Sequence, residues 1–597
     1  MKHIIILDTG VNLSHPKLNE KNIRCKRITD SGFEEIFEDS DANGHGTAIC
    51  GIITEKNANI KLTMYKIFDS EDYVDEEILL KTLVYIFENE KFDFLHLSLG
   101  ISQCNNIEKF EKLCNDMARE NIIIVSAFSN YGTASYPAAF SSVIGVDSLI
   151  ECKKNDDFIY SENSIVNVYA KGTNQRVCWS NKQKYIINSG NSFASAHVTA
   201  FLLNTLEKNK LNLEQAKKKL KEKALYVINS PLLKIKKIDF PFQNIAVFPL
   251  NKEIYSTLNY RNMLRCNVSI IFDIRESGKI GDDIQKYLFK DDFASSLNII
   301  NLFDFEFHVN EFDTLVIGHL KKINEITGID YKQICINFCL NNYKNLISFD
   351  DLSDDIIEKF TKKNLSCFYC NVENINYDLN EKLRIIGVPS IVVCGTSSQQ
   401  GKFSLQLELR KKFITEGYSV GQWSSEPQGY LFDIDEVFPL GFGSNNNFSE
   451  KQVIHYINNQ LHSIEKEKKD IIISGIQSFT ITERLYNTIF YPSLQNSIIS
   501  ALQPDCVVLM VNSYDNIDYI RRTISYIESI CETKVVCLVL SFKDINKTWS
   551  SMELSIKKIE EKKSKIKIEA IKKELNRPCY NYDEIDKVFE QIIKYLS

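Results

Sequence analysis

The stretch Ser189-Gly190-Asn191-Ser192-Phe193-Ala194-Ser195-Ala196-His197-Val198 puts a serine where a helix begins. Phe193, Val198, Phe201, Leu202 and Leu206 carry the apolar spacing of that helix onward from Ser192. Backbone N–H groups in a first helical turn have no intrahelical acceptor, so they can hold the negative oxygen that forms when a serine attacks a carbonyl. A serine hydroxyl is a weak nucleophile at neutral pH and needs a base. The base in turn needs a carboxylate that fixes its tautomer and stabilises its cation. Both residue types stand upstream in defined settings. Ile4-Ile5-Ile6-Leu7-Asp8-Thr9-Gly10-Val11 ends a buried strand on an acid, and Asn43-Gly44-His45-Gly46-Thr47-Ala48 opens a helix on a histidine flanked by glycines. Each motif alone is common, but Asp, His and Ser here follow the chain order that one triad architecture uses.

The surrounding pattern alternates strand and helix. Short apolar runs at 3–7, 60–68, 94–99 and 122–127 read as strands, with helical spacing at 76–90 and 107–120 between them. That is an α/β parallel-sheet pattern. A Lys-rich amphipathic segment at 213–225 follows the Ser192 helix, and the pattern lapses through 229–242, which sets a first boundary near residue 235. Further strands are predicted at 245–250, 268–274, 314–318, 334–340 and 366–372, the simplest account being a second open α/β layer. A third begins near 384, with strands at 385–394, 471–474, 506–512 and 534–540, a helix at 402–416 and a charged helix at 546–571. Three domains are expected, at 1–235, 236–383 and 384–597, as the length of 597 residues allows.

Composition excludes several classes. Lys+Arg number 71 against 78 Asp+Glu, both scattered, with a net charge of −7, so no basic tract tracks a nucleic-acid backbone. No apolar run approaches the roughly 18 residues of a spanning helix, and the apolar stretch before Asp8 is too short for a secretory signal. Sixteen cysteines spread over a chain of this size without a signal fit reduced thiols, so a cytoplasmic location is expected.

On the three motifs, residues 1–225 resemble the subtilisin-like serine proteases. The resemblance implies a three-layer fold around a parallel sheet and assigns the triad to Asp8, His45 and Ser192. Ile122-Ile123-Ile124-Val125-Ser126-Ala127-Phe128-Ser129-Asn130 is similar to the strand that brings the oxyanion asparagine, which implies Asn130. His96-Leu97-Ser98-Leu99-Gly100 is similar to the substrate-binding segment, so Ser98, Leu99 and Gly100 would pair with an extended peptide. Two positions depart from the family pattern: Asn191 stands where a threonine is usual, and Ala196 where a proline is usual before the residue that follows. The family's propeptide has no counterpart ahead of the Asp8 strand, so restraint is expected from the downstream domains or a partner, together with a narrow substrate range. Proteolysis of this kind requires no cofactor.

Val393-Cys394-Gly395-Thr396-Ser397-Ser398-Gln399-Gln400-Gly401-Lys402-Phe403-Ser404 joins an apolar run to a helix. Glycines there let backbone N–H groups cradle phosphate, and a lysine reaches the terminal phosphates. Five residues separate the glycines instead of four, as in dethiobiotin synthetase-like P-loop proteins, which residues 385–545 resemble. The resemblance implies a P-loop α/β domain after a Rossmann-like one, and ATP or GTP with Mg²⁺ held by Gly395, Thr396, Gly401, Lys402 and Ser404. Phe403 stands where the Mg²⁺-binding hydroxyl is usual, so Ser404 would serve only if the helix start shifted. Ser474 stands where a strand-end carboxylate is expected, while Asp470 and Asp505 precede their strands.

The middle and third regions also resemble maturation proteins of bacteriocin-type modified peptides. That implies cleavage of a leader or precursor peptide, with other maturation enzymes as partners. Two alternatives stay open: a nucleotide-gated protease in regulation or defence, and a binding scaffold with an inert protease fold. No metal site is expected. The pairs Cys335/Cys339 and Cys367/Cys370 sit in apolar runs read as strands, the acidic stretch 71–77 lacks alternating oxygen ligands for calcium, and His197 reads as a buried helix residue.

Overall fold

The computed structural model describes all residues except 30–31, 38, 56–59, 69–74, 163, 180–182, 206–211, 230–236, 290–295, 371–381, 441–447, 484–492 and 547–554. It divides into two compact units: one made of Met1–Leu232 and Ile375–Ile385, the other of Leu233–Asn374 and Ile386–Ser597.

The first unit is built on a ten-stranded sheet. Its centre runs in the order Ile23–Thr29, Ile60–Lys66, Lys2–Asp8, Phe94–Leu97, Ile123–Ala127 and Ile144–Ser148, all parallel. Ile4 and Ile6 point into one core, with the helices His45–Glu55 and Asn191–Thr205. Ile5 and Leu7 point into the other, with Glu76–Asn89 and Ile107–Arg119. A sheet buried on both faces needs runs that are apolar at every position, which is why Ile4 to Leu7 reads without alternation. All four are fully buried, each worth about 1.5–3 kcal/mol of transfer free energy. Two antiparallel hairpins, Ile23–Thr29 with Gly32–Ile36 and Gln175–Cys178 with Tyr185–Asn188, were not legible in the apolar pattern.

The second unit holds two parallel sheets. Six strands run in the order Ile299–Asn301, Asn267–Asp273, Asn244–Phe248, Thr314–Ile317, Asn345–Ser348 and Cys367–Tyr369. Seven run in the order Glu436–Val437, Val420–Ser424, Ile471–Gly475, Ser390–Gly395, Cys506–Val511, Lys534–Leu540 and Cys579–Asn581. The boundary expected at 383/384 does not separate two cores. Phe403, Leu407 and Leu431 share one cluster with Ile254, Leu258 and Val268, and the Tyr260 and Tyr582 hydroxyls lie 2.8 Å apart. The described residues 382–385 belong with the first unit, which no sequence pattern announced.

The expected strand at 334–340 is the helix Tyr331–Asn341. Asp330 caps it by accepting from Gln333 N, and the buried positions Tyr331, Cys335, Phe338 and Cys339 follow the three-to-four residue repeat of a helix. Cys335 and Cys339 are therefore helical core residues, and none of the sixteen cysteines is joined in a disulfide. The expected helix at 546–571 starts later, at Glu561, after the hairpin Lys543–Asn546 with Ser555–Lys558. Of the acidic stretch set aside for calcium, 71–74 lie outside the described residues, and Asp75 caps the helix Glu76–Asn89. Among the described residues no group of three metal-ligating side chains occurs, and no helix is long and apolar enough to cross a membrane.

Candidate active site

Asp8 ends the strand Lys2–Asp8 and is almost fully buried. Its Oδ1 accepts from Thr9 N at 2.7 Å and lies 2.8 Å from His45 Nδ1, while Oδ2 accepts from Ser98 Oγ at 2.6 Å. Burial alone would raise the carboxyl pKa. The charge and hydrogen bond of His45, with those of Ser98 and Thr9, outweigh it and hold the group below its ordinary range. The acid is thus charged where it must support an imidazolium.

His45 opens its helix, and its Nε2 lies 2.8 Å from Ser192 Oγ. The flanking glycines answer packing demands. A Cβ on Gly46 would stand 2.1 Å from the Gly10 carbonyl oxygen, and one on Gly44, at φ +102°, would enter the Trp179 indole at 2.7 Å. Asp41, which the sequence reading missed, ties these segments together. It accepts from Thr9 Oγ1, Gly44 N, Thr47 N and Thr47 Oγ1 at 2.5–2.8 Å. Its only sequence signal is an acid four positions before the histidine. His96, beneath the site, bonds Thr199 Oγ1 through Nδ1, and burial lowers its pKa to about 3, so it stays neutral.

Asn191 is the first residue of the helix Asn191–Thr205, Ser192 the second. Far from disturbing the site, the unusual Asn191 ties the helix start to two other segments, one at Ser148 and one at 128–130. Its Oδ1 accepts from Ser148 Oγ at 2.6 Å and Ser148 N at 3.1 Å, and its Nδ2 donates to the carbonyls of Phe128 and Ser129, each at 3.2 Å. Its backbone N donates to Asn130 Oδ1 at 2.9 Å. That last bond commits the oxygen of the Asn130 amide as an acceptor and leaves the NH₂ end as the donor. Ala196 is fully buried, and the helix runs through it unbroken.

Of the three expected substrate contacts, Ser98 turns its hydroxyl onto Asp8 and so orients the acid. Leu99 is a core residue whose carbonyl accepts from Ser126 Oγ at 3.3 Å, and Gly100 is exposed. His197 is buried on its helix, with Nε2 2.6 Å from Gln175 Oε1, away from the relay.

The second candidate site is the loop between the strand Ser390–Gly395 and the helix Lys402–Thr415. Lys402 is buried and donates to the carbonyls of Ser397 and Ser478, each at 2.6 Å; burial lowers its pKa to about 8. The Gln400 side chain fills the loop, donating to Thr396 Oγ1 at 2.7 Å and accepting from Ser397 N at 3.1 Å. Thr396 Oγ1 donates onward to Asp515. Gly401 has φ +96°. The helix begins at Lys402 without a shift, so Ser404 does not serve the loop: it bonds the Tyr260 and Tyr582 phenols. Phe403 is core. Ser474 is fully buried with no partner for its hydroxyl, and Asp470 and Asp505 accept from Ser419 N and Ser390 N at strand starts. The acids brought near the loop are Asp515, on Thr396, and Glu426, which acts on Lys402 electrostatically. With the hydroxyl and carboxylate positions both filled otherwise, these residues do not fit a metal-bound nucleotide.

A three-layer parallel sheet carrying an Asp–His–Ser relay, with the serine at a helix start, defines the serine peptidase fold of the subtilase class. Residues 3–245 match the model of the Subtilase family, so the N-terminal part of this chain carries a subtilase domain. It is 28% identical over 216 residues to the major intracellular serine protease of Bacillus subtilis, covering 33% of this chain and 66% of that one. It is 26% identical over 217 residues to the intracellular serine protease of Paenibacillus polymyxa, covering 33% and 64%. The chain thus spans about two thirds of the length of these curated relatives. Among solved structures, a DUF1611 family protein from Anabaena variabilis aligns with a TM-score of 0.45 at 16% identity, covering 59% of this chain and 99% of that one. A lanthipeptide protease aligns with a TM-score of 0.31 at 17% identity, covering 38% and 80%.

Proposed function

We propose that the protein is a serine endopeptidase that cuts a leader or precursor peptide bound in extended form along Ser98, Leu99 and Gly100. The observation that carries the reading is the unbroken relay of 2.8 Å from Asp8 Oδ1 to His45 Nδ1 and 2.8 Å from His45 Nε2 to Ser192 Oγ. Ser192 Oγ attacks the scissile carbonyl as His45 takes its proton, and Asp8 holds the imidazole tautomer and stabilises its cation. The Asn130 NH₂ and the Ser192 N–H receive the oxyanion. His45 then hands the proton to the leaving amine, and water, activated by the same imidazole, releases the acyl group.

The choice of a precursor peptide as substrate rests on the resemblance of the region after residue 236 to peptide-maturation proteins. Labelling of the full-length chain with a fluorophosphonate tests the chemistry: modification at Ser192 that disappears in Ser192→Ala supports it, and a wild-type chain left unlabelled refutes it.

A second, narrower reading concerns the loop at Lys402. A buried ammonium whose hydrogen-bond partners are neutral carbonyls is poorly compensated, which favours a phosphate-bearing ligand bound without metal-dependent hydrolysis. Calorimetric titration with ATP and with GTP, with and without Mg²⁺, tests it; heat that is unchanged in Lys402→Ala rules the loop out.

A further inference from the structure

Four described residues far beyond the subtilase segment, Lys382 to Ile385, fall within the first unit. Their contacts there are specific. Ala134 N donates to the Leu383 carbonyl at 2.8 Å, and Thr133 and Leu383 form a parallel β-bridge. Lys382 Nζ lies 2.6 Å from Asp147 Oδ2, with side-chain exposures of 11% and 10%. An ion pair this shielded is not a surface ornament: removing one partner strands the other charge in a poor solvent.

Both anchor points lead to the oxyanion amide. Asp147 Oδ1 accepts from Ser148 N at 2.8 Å, Ser148 bonds Asn191 Oδ1, and Asn191 N donates to Asn130 Oδ1. On the other side, Thr133 and Ala134 belong to the turn that follows Asn130, where Ser129 N donates to Ser135 Oγ at 2.9 Å. That turn is further fixed by the two-way backbone bridge between Ile101 and Tyr136. The 382–383 segment therefore grips the Asn130 loop at one end and the hub that aims the Asn130 amide at the other.

We propose that Lys382 and Leu383 are positioning residues for the peptidase, holding the Asn130 amide where it meets the oxyanion, so that full activity requires a segment some 190 positions after Ser192. The inference rests on the proposed endopeptidase reading. It assigns a catalytic consequence to a part of the chain outside the matched residues 3–245. An ordinary buried ion pair would hold the fold together without acting through Asn130.

A double-mutant cycle separates the two, read as the rate at which a fluorophosphonate modifies Ser192 in the full-length chain. The probe's P=O oxygen needs the same donors as a peptide oxyanion. Lys382→Met is expected to slow labelling about tenfold, and to slow it no further once Asn130 is already alanine, since neighbours acting through one group are not additive. If Lys382→Met does not fold, Asp147→Asn carries the same comparison, because it keeps the acceptor for Ser148 N and removes only the charge. Wild-type labelling rates in these variants, or losses that multiply fully with Asn130→Ala, overturn the inference while leaving the endopeptidase reading intact. A wild-type chain that never labels overturns both.

Discussion

The helix starts at Ser192 and at Lys402 use one local device, a glycine-turned strand-to-helix loop, and end in opposite states. At Ser192 the surrounding groups converge on a single atom. Ser98, Asp8 and His45 form a chain that finishes at the serine hydroxyl, and Asn191 consumes the Asn130 oxygen so that its NH₂ end is kept as a donor. At Lys402 the groups are turned on one another: Gln400 occupies the Ser397 N–H, and two loop carbonyls hold the ammonium. A motif supplies donors. Whether they are available to a substrate depends on which acceptors the rest of the fold brings close, and that is set by residues distant in sequence.

The largest test of this contrast is Ser192→Ala, expected to remove about 10⁶-fold of peptide-bond hydrolysis, the scale of losing one member of a cooperating triad. A residual rate within tenfold of wild type would break the contrast, since the convergence on Ser192 would then be incidental. Next comes Asn130→Ala, expected to lower kcat about 10²–10³-fold with little change in KM, because the amide acts on charge that exists only in the transition state. An equal change in KM instead would mean that Asn130 binds the ground state. Asn191→Ala is expected to lie below it, at about tenfold in kcat, because it removes the side-chain bonds to Ser148 and to the Phe128 and Ser129 carbonyls that brace the segment leading to Asn130, while the backbone N–H at 191 still holds Asn130 Oδ1. A loss equal to that of Asn130→Ala would make Asn191 a direct donor.

The smallest effect sharpens the other side. Lys402 has a folded pKa of about 8 against an ordinary value of 10.5, so the unfolded chain binds its proton more tightly. The fold carries the full penalty below pH 8 and sheds it as the pH rises toward 10.5. The total is at most about 3 kcal/mol. Lys402→Met is therefore expected to be the more stable chain at pH 7, with the difference shrinking by pH 10 in urea unfolding of the second unit. Its rate of fluorophosphonate labelling at Ser192 should stay within twofold of wild type. A stability difference that does not change with pH would show that the ammonium is compensated after all.

Much of the first unit was legible because burial on both faces leaves a simple mark. Ile4 to Leu7 and Ile123 to Ala127 are apolar throughout, and their strands fall within a residue or two of expectation. Asp8, His45 and Ser192 were legible because glycines and strand ends flank them. Asp41 was not, since its role lies in four hydrogen bonds to groups whose proximity only folding creates. Tyr331–Asn341 was misread for a related reason: Ile334 to Leu340 is apolar at nearly every position, and a buried helix and a buried strand then look alike. The second unit's shared core was hidden as well, because Phe403 and Leu407 cover a surface made 150 residues earlier.

The grip of Lys382 on Asp147 also sets a clock for the growing polypeptide. At about 5–20 residues per second, a ribosome that has finished Ser192 needs about 10–40 s more to make Lys382. Through that interval the triad can assemble while its oxyanion amide is still unbraced. Under the proposed role of Lys382, a nascent chain would be slow beside the other unfinished chains of its own polysome and would reach its full rate only once the first part of the second unit, Leu233–Asn374, has been made.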